Sequence, residues 1–289
     1  MKLLSAIIVA SFFVSTAAIG NDGASDDSQL LKPGWYFNAD LFAQYNSLGA
    51  FALMEVTWNR PLKAKMNMVW SHLELGSHMG SSPAATTVGV HGEWMPVALF
   101  RLRLLYDFKM FHGTYGSLKS IDNQNVPHDE DDMAKSGFGK RGIGHRVMLY
   151  PVIQALYKGL LFRNQNEFVF YGVHIDSPYW YNWQIETISE PKDFFLTERV
   201  NLMYDLLVQH KSRNLFVGPF YSLVWQPSTD FRRQRMGIDI YTEPFNNEGK
   251  KVIPHFMFIT GYNLEEHYRR HEFVFVLNAG INIDKRRAR

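Results

Sequence analysis

The chain has 289 residues, a formal net charge of +2 at pH 7 and no cysteine. This near balance of charge gives no indication of a nucleic-acid partner, and the absence of cysteine excludes disulfides, zinc–thiolate sites and a cysteine nucleophile. Aromatic residues make up 15% of the chain, and such residues favour strands over helices.

The N-terminus has the layout of a secretory signal peptide, which we predict to cover residues 1–20. Lys2 gives a short basic start, residues 3–14 form an apolar run, and small residues follow. The run is shorter than the roughly 20 residues that a membrane-spanning helix needs. The alternative is a buried N-terminal strand or helix. After cleavage, we expect a polar periplasmic leader over residues 21–34.

Twelve downstream segments alternate between apolar and polar residues with the period of two that is typical of β-strands. In residues 97–111, Phe100 and Leu102 lie on one face, whereas Arg101 and Arg103 lie on the other. The pattern predicts an all-β chain whose strands have one apolar and one polar face. The predicted strands are residues 35–46, 50–59, 66–75, 87–94, 97–111, 144–156, 160–173, 194–207, 215–226, 234–242, 252–263 and 271–283.

The connections between these segments alternate in length. Connections of even number are mostly short, whereas long loops are predicted at residues 76–86, 112–142 and 174–192. Outer-membrane barrels have short periplasmic turns, longer external loops and an even number of strands. A soluble sandwich would not need this alternation, and it would have to bury each apolar face against a second sheet.

The signal peptide, the strands and the alternating loops together resemble a Gram-negative outer-membrane β-barrel of about twelve strands. The resemblance implies a single antiparallel transmembrane β-barrel over residues 35–284, located in the bacterial outer membrane. It also implies contact with outer-membrane lipid and lipopolysaccharide, and insertion by the barrel-assembly machinery. One departure is the basic tail at residues 285–289, because such barrels often end on an aromatic residue that closes the last strand.

Charged residues on the polar faces are the main indication of function. They carry both signs, with acidic residues concentrated on the first four predicted strands and arginines on later ones. They either line a water-filled pore or pair with one another and close a narrow lumen. The lumen-lining candidates are Asp40, Glu55, His72, Glu74, His91, Glu93, Arg101, Arg103, Asp107, Lys109, Arg146, Arg199, Asp205, Arg235 and Asp239.

Two of these candidates, His72 and His91, fall on neighbouring predicted strands beside Glu74 and Glu93. Histidine together with carboxylates can work as an acid–base pair or bind a metal ion. A structural hydrogen-bonded cluster is the interpretation that we favour. The sequence therefore predicts no metal site and no cofactor.

Four aromatic residues crowd the loop at residues 174–192: Tyr179, Trp180, Tyr181 and Trp183. They are loop-binding candidates, because aromatic rings at a pore mouth can stack on a sugar or a base. The alternative, which we favour, is the aromatic girdle that barrels place at the membrane interface.

Three functions stay open at this point. The first hypothesis is a porin-like channel for small polar solutes. The second is a lipid-modifying enzyme of the outer membrane, but no GxSxG motif is present, and Ser71 and His145 lie on predicted strands that are not neighbours. The third is a closed structural or adhesive barrel that acts through its external loops. The oligomeric state is not predicted.

Overall fold

The computed structural model describes residues 33–45, 49–62, 71–114, 118–123, 139–182, 185, 187–209, 214–244, 252–265 and 273–284. The barrel strands are β1 (Gly34–Tyr45), β2 (Gly49–Pro61), β3 (His72–Ser81), β4 (Ala85–Val97), β5 (Phe100–His112), β7 (Arg141–Tyr157), β8 (Leu160–Val173), β11 (Lys192–Asp205), β12 (Asn214–Gln226), β13 (Phe231–Glu243), β14 (Val252–Glu265) and β15 (Phe273–Asp284). Three short strands are β6 (Ser120–Ile121), β9 (Tyr179–Asn182) and β10 (Thr187–Ser189). No helix in these residues is long and apolar enough to cross a membrane.

The twelve long strands form one closed barrel by antiparallel pairing. Each barrel strand pairs with the next along the chain, and β1 pairs with both β2 and β15. Ala39 of β1, for example, lies opposite Met54 on one side and Ile281 on the other. Closure removes the exposed strand edges that an open sheet would carry. The predicted single antiparallel barrel of about twelve strands is confirmed.

The outward face of the barrel is apolar around its circumference. Leu41 is 58% exposed, Leu104 55% and Leu277 53%, while their neighbours along each strand are buried. Exposed apolar patches on soluble proteins rarely exceed a few hundred Å², and this one encircles the molecule. Such an exterior matches the lipid-facing band of a membrane barrel. The chain is an outer-membrane β-barrel, as the sequence predicts.

The third strand lies further along the chain than its predicted position. Because β3 and β4 are joined by residues 82–84, most of the predicted loop at residues 76–86 is barrel wall. Glycine and serine in this segment indicate a loop in the sequence. In the wall, Gly76 instead provides space, because a Cβ there would lie 2.5 Å from the ring of His91.

Several predicted segments fall outside the described residues. These are the signal peptide at residues 1–20, the leader up to residue 32, residues 66–70 of the predicted third strand, and the basic tail at residues 285–289.

Described parts of the two longest connections form a small sheet at the barrel end where β1 ends and β15 begins. β6 comes from the connection between β5 and β7, and β9 and β10 come from the connection between β8 and β11. They pair in the order β10–β9–β6, and we refer to them as the loop sheet. Leu118, Trp180 and Ile188 are buried there against Phe111 and Val173 of the wall. Segments this short carry too little alternation to be predicted as strands.

Candidate functional site: the lumen

The structure places the predicted lumen-lining residues on the inward side of the wall, where most are buried. Two of them sit near its margins. Asp205 accepts hydrogen bonds from the backbone N–H groups of Leu207 and Leu215, and so orders the turn after β11. Arg235 donates from Nε to the Asn263 side chain at 2.8 Å.

Asp107, which is 0% exposed, is the centre of one group of polar contacts. Its carboxylate pairs with the Arg146 guanidinium on the next strand. His78 Nε2 also lies 2.6 Å from Asp107 Oδ1, although β4 separates their strands. The contact is made across Gly89, which lies opposite both residues in the register. We call this arrangement, a histidine reaching a carboxylate across a glycine, a histidine bridge.

The same arrangement recurs where the two ends of the chain meet. His255 Nε2 of β14 lies 2.6 Å from Asp40 Oδ1 of β1. The strand between them carries Gly280, which lies opposite both residues. A Cβ at Gly280 would lie 2.6 Å from the His255 ring and would also clash with the carboxylate. Glycine at this position is therefore what allows the bridge to form.

Glu55 is the centre of a third group of contacts on the same wall. Its Oε1 lies 2.7 Å from Arg103 Nη2 and 2.9 Å from His91 Nε2. His91 reaches β2 across Gly76 and also contacts the Thr57 hydroxyl at 3.3 Å. Arg103 and Glu55 are separated by two strands, so this ion pair spans a wide arc of the barrel.

A separate cluster lies at the barrel end where β1 begins and β15 ends, which is the predicted periplasmic end. His72 Nε2 is 3.3 Å from Glu74 Oε1 and 3.4 Å from Glu93 Oε1. Glu93 Oε2 is in turn 3.7 Å from Arg101 Nε. The structure thus brings together three of the four residues that the sequence analysis grouped, whereas His91 belongs to the group around Glu55.

Two further cationic side chains lie within the lumen. Lys109, which is 1% exposed, donates to the Tyr171 hydroxyl at 3.1 Å and lies 5.1 Å from the ring centroid. Arg199 pairs with Asp239, and its guanidinium carbon lies 4.1 Å from the Phe220 ring centroid. Buried charges are costly unless they are paired, and these charges have partners.

An apolar layer lies across part of the lumen, and the connection between β8 and β11 contributes to it. Ile185 of that connection is buried in one cluster with Leu105, Val169, Phe195 and Phe231, which come from four strands of the wall. Ile185 therefore packs against the inner wall of the barrel. It adds to an apolar section of the lumen.

Hydrogen bonds from the wall hold β10, the strand of the loop sheet that follows Ile185. Gln226 Nε2 lies 3.2 Å from the Ile188 carbonyl and 2.9 Å from the Ser189 hydroxyl. It also donates to Asp193 Oδ2 at 2.5 Å. One buried side chain thus connects the loop sheet to the top of β11 and β12.

The aromatic loop residues belong to the loop sheet and not to its surface. Trp180 and Tyr181 are buried, and Tyr179 packs against the same cluster. Trp180 makes an edge contact with Phe111, with ring centroids 5.8 Å apart. The favoured girdle interpretation is therefore wrong for Trp180 and Tyr181, and neither presents a free ring to a ligand. Trp183 lies outside the described residues.

The lipid-facing pair considered for hydrolysis is not assembled. Ser71 is buried beside the start of β3. His145 lies near the opposite end of the barrel, where Nδ1 is 2.6 Å from the Tyr106 hydroxyl. Since β4 and β5 separate their strands, these two residues form no serine–histidine pair.

Sequence reasoning missed two histidines that the lumen uses. His78 falls in a segment that the sequence predicts to be a loop, and His255 lies on a predicted strand without charged neighbours. Their partners depend on the register of neighbouring strands, which the sequence does not show. Each faces a glycine on the next strand and an aspartate on the strand beyond.

The comparisons with known proteins show a similar fold alone. Neither a protein-family model nor a curated protein sequence matches this chain. Among solved structures, the KdgM porin matches with a TM-score of 0.40 and 8% identity over 86% of this chain and 98% of that one. The β-domain of the Bordetella autotransporter BrkA matches with a TM-score of 0.48 and 10% identity over 88% of this chain and 99% of that one. LpxR from Salmonella typhimurium matches with a TM-score of 0.40 and 10% identity over 86% of this chain and 99% of that one. These values are too low to support any one function.

Proposed function

We propose that this barrel is a channel for small polar solutes, closed in the described conformation by the loop sheet and opened when that sheet leaves the lumen. The observation that carries the proposal is the contrast between two sections of one lumen. Charged side chains line the wall, while Ile185 adds to an apolar section. Hydrophobic constrictions are one of the ways in which channels are gated.

The loop sheet has the properties of a movable element. It is built from connections, it contains only short strands, and Gln226 is a main polar attachment to the wall. Loops and lids that move in proteins come from the less stable parts of a structure. The wall beneath it is one continuous hydrogen-bonded sheet.

A second candidate is a closed structural or adhesive barrel that acts through its external loops. The burial of Asp107 and Lys109 favours it, because residues that line an open pore are accessible to water. In this case the paired charges close the lumen by themselves, and removing the loop sheet leaves it closed.

Conductance in planar bilayers tests the proposal. We expect rare, brief openings of the wild-type protein and sustained conductance when a short Gly–Ser linker replaces residues 175–190. Gln226→Ala should raise the open fraction. Gln234→Ala is the matched control, because its side chain bonds the Tyr221 hydroxyl away from the loop sheet. A linker variant that shows heat-dependent gel mobility, and so is folded, but does not conduct would support the closed barrel instead.

A further inference from the structure

We infer that His72, Glu74 and Glu93 form a binding site for a divalent transition-metal ion at the periplasmic end of the lumen. The three residues come from two neighbouring strands and turn their side chains toward one another. Imidazole nitrogen with carboxylate oxygens is a donor set that suits Zn²⁺. The site is separate from the loop sheet, so it does not rest on the proposed channel function.

The distances between donor atoms fit a tetrahedral ion. Bonds of about 2.0–2.2 Å from Zn²⁺ to nitrogen and oxygen place neighbouring ligand atoms about 3.3–3.5 Å apart. His72 Nε2 already lies 3.3 Å from Glu74 Oε1 and 3.4 Å from Glu93 Oε1. All three donor atoms are within 4.8 Å of one another.

The charges of the cluster also favour a cation. Glu74 and Glu93 lie directly opposite each other on β3 and β4, and like charges in this position destabilise a sheet. Arg101 approaches Glu93 from the far side, at Oε2. This leaves both Oε1 atoms facing His72, where a bound cation would offset the repulsion between the carboxylates.

Asn59 supplies an independent indication. Its Nδ2 donates to Glu74 Oε1 at 2.5 Å, which orients that carboxylate as the outer partners of metal ligands commonly do. The side chain is 3% exposed, and its Oδ1 is buried without a hydrogen-bond partner. A buried polar atom without a partner is uncommon in folded proteins, and this one belongs to the residue that orients Glu74. The His72 side chain is 16% exposed, so the cluster is accessible to solvent.

Titration calorimetry with Zn²⁺ on the full chain, refolded in detergent and freed of metal with a chelator, tests the site. We expect one saturable site per chain, and a loss of at least about tenfold in affinity in His72→Gln and in Glu93→Gln. His255→Gln is the matched control, because this buried histidine contacts one carboxylate and not two. His112→Gln is a second control, since it is exposed at the far end. Both should bind as the wild type does.

Thermal unfolding gives a second measurement. Zn²⁺ should raise the unfolding temperature of the wild type and of His112→Gln, because an ion that binds the folded state stabilises it, and it should not do so in His72→Gln. If His72→Gln does not fold, Glu74→Gln takes its place in both experiments. The inference is overturned if the wild type shows no saturable binding up to about 1 mM Zn²⁺, or if His72→Gln binds as tightly as the wild type. Either result would leave the conductance of the linker variant unaffected.

Discussion

The inner walls on opposite sides of the barrel fill the lumen by different means. The wall from β2 to β7 is polar, and its contacts are ion pairs that cross strands, such as Glu55 with Arg103 and Asp107 with Arg146. The wall from β12 to β15 carries an apolar cluster that includes Phe220, Ile259 and Val274, beside a smaller number of buried polar residues such as Asp239 and His255. Both walls have the same apolar exterior. The outward pattern therefore defines the barrel, while the inward pattern is free to vary.

The two walls should respond differently to substitution. A buried ion pair that loses one partner leaves an uncompensated charge, and this is among the most destabilising changes known in proteins. An apolar cluster that loses a methyl group leaves a small cavity with a graded cost. The histidine bridge occurs in both walls, so its contribution can be measured in each.

The largest effect is expected from Asp107→Ala. The change leaves Arg146 and His78 without their shared carboxylate in a buried position, and we expect it to lower the free energy of unfolding by about 3–5 kcal/mol. Denaturant unfolding in lipid vesicles, followed by tryptophan fluorescence, measures it. Arg232→Ala is the control, because its ion pair with Asp230 is exposed and should contribute less than about 1 kcal/mol. Equal losses in the two variants would mean that the polar wall is not held by these pairs.

An intermediate effect is expected from filling the space that glycine leaves beneath each histidine bridge. Gly89→Ala and Gly280→Ala each place a Cβ against a histidine ring that a carboxylate holds in position, which should cost about 1–3 kcal/mol. Gly172→Ala is the matched control, since no atom lies within 4 Å of its added Cβ. The same unfolding assay measures all three variants. Tolerance of alanine at both bridge positions would show that the histidines can move aside freely.

The smallest effect is expected in the apolar wall. Ile259→Val removes one methylene from a buried cluster, and it should cost about 0.5–1.5 kcal/mol. Ile238→Val is the matched control, because Ile238 is 48% exposed on the lipid-facing side and should change the stability by less than about 0.5 kcal/mol. A loss at Ile259 as large as that of Asp107→Ala would remove the distinction between the two walls.

The sequence predicted the barrel because its period of two persists in the outward face. The parity of each strand placed residues such as Glu55, Arg103 and Lys109 on the inward side, where the structure has them. Partners across the lumen could not be predicted, because they depend on which strands become neighbours and on their register. His78 shows this, since its aspartate lies 29 residues away in the chain.

The predicted separation of acidic and basic sides is weakened by pairing. Glu55 lies on an early strand, as expected, but its carboxylate contacts Arg103 of β5. Asp107 similarly pairs with Arg146, and Asp239 pairs with Arg199. Charges that neutralise one another locally produce little field across a lumen. A pattern along the sequence shows which charges face inward, but not how far each side chain reaches.

The bridge between Asp40 and His255 joins residues 215 positions apart in the chain, so it cannot form before the first and last strands of the barrel meet. Contacts this distant form late and make folding slow. The bridge also makes closure selective. If β15 slipped by one residue, its inward and outward faces would exchange, and Ala279 or Ile281 would replace Gly280 beneath the imidazole. A barrel joined in the wrong register would then bury an aspartate and a histidine that cannot reach each other, so the closed barrel favours the correct register of β14, β15 and β1.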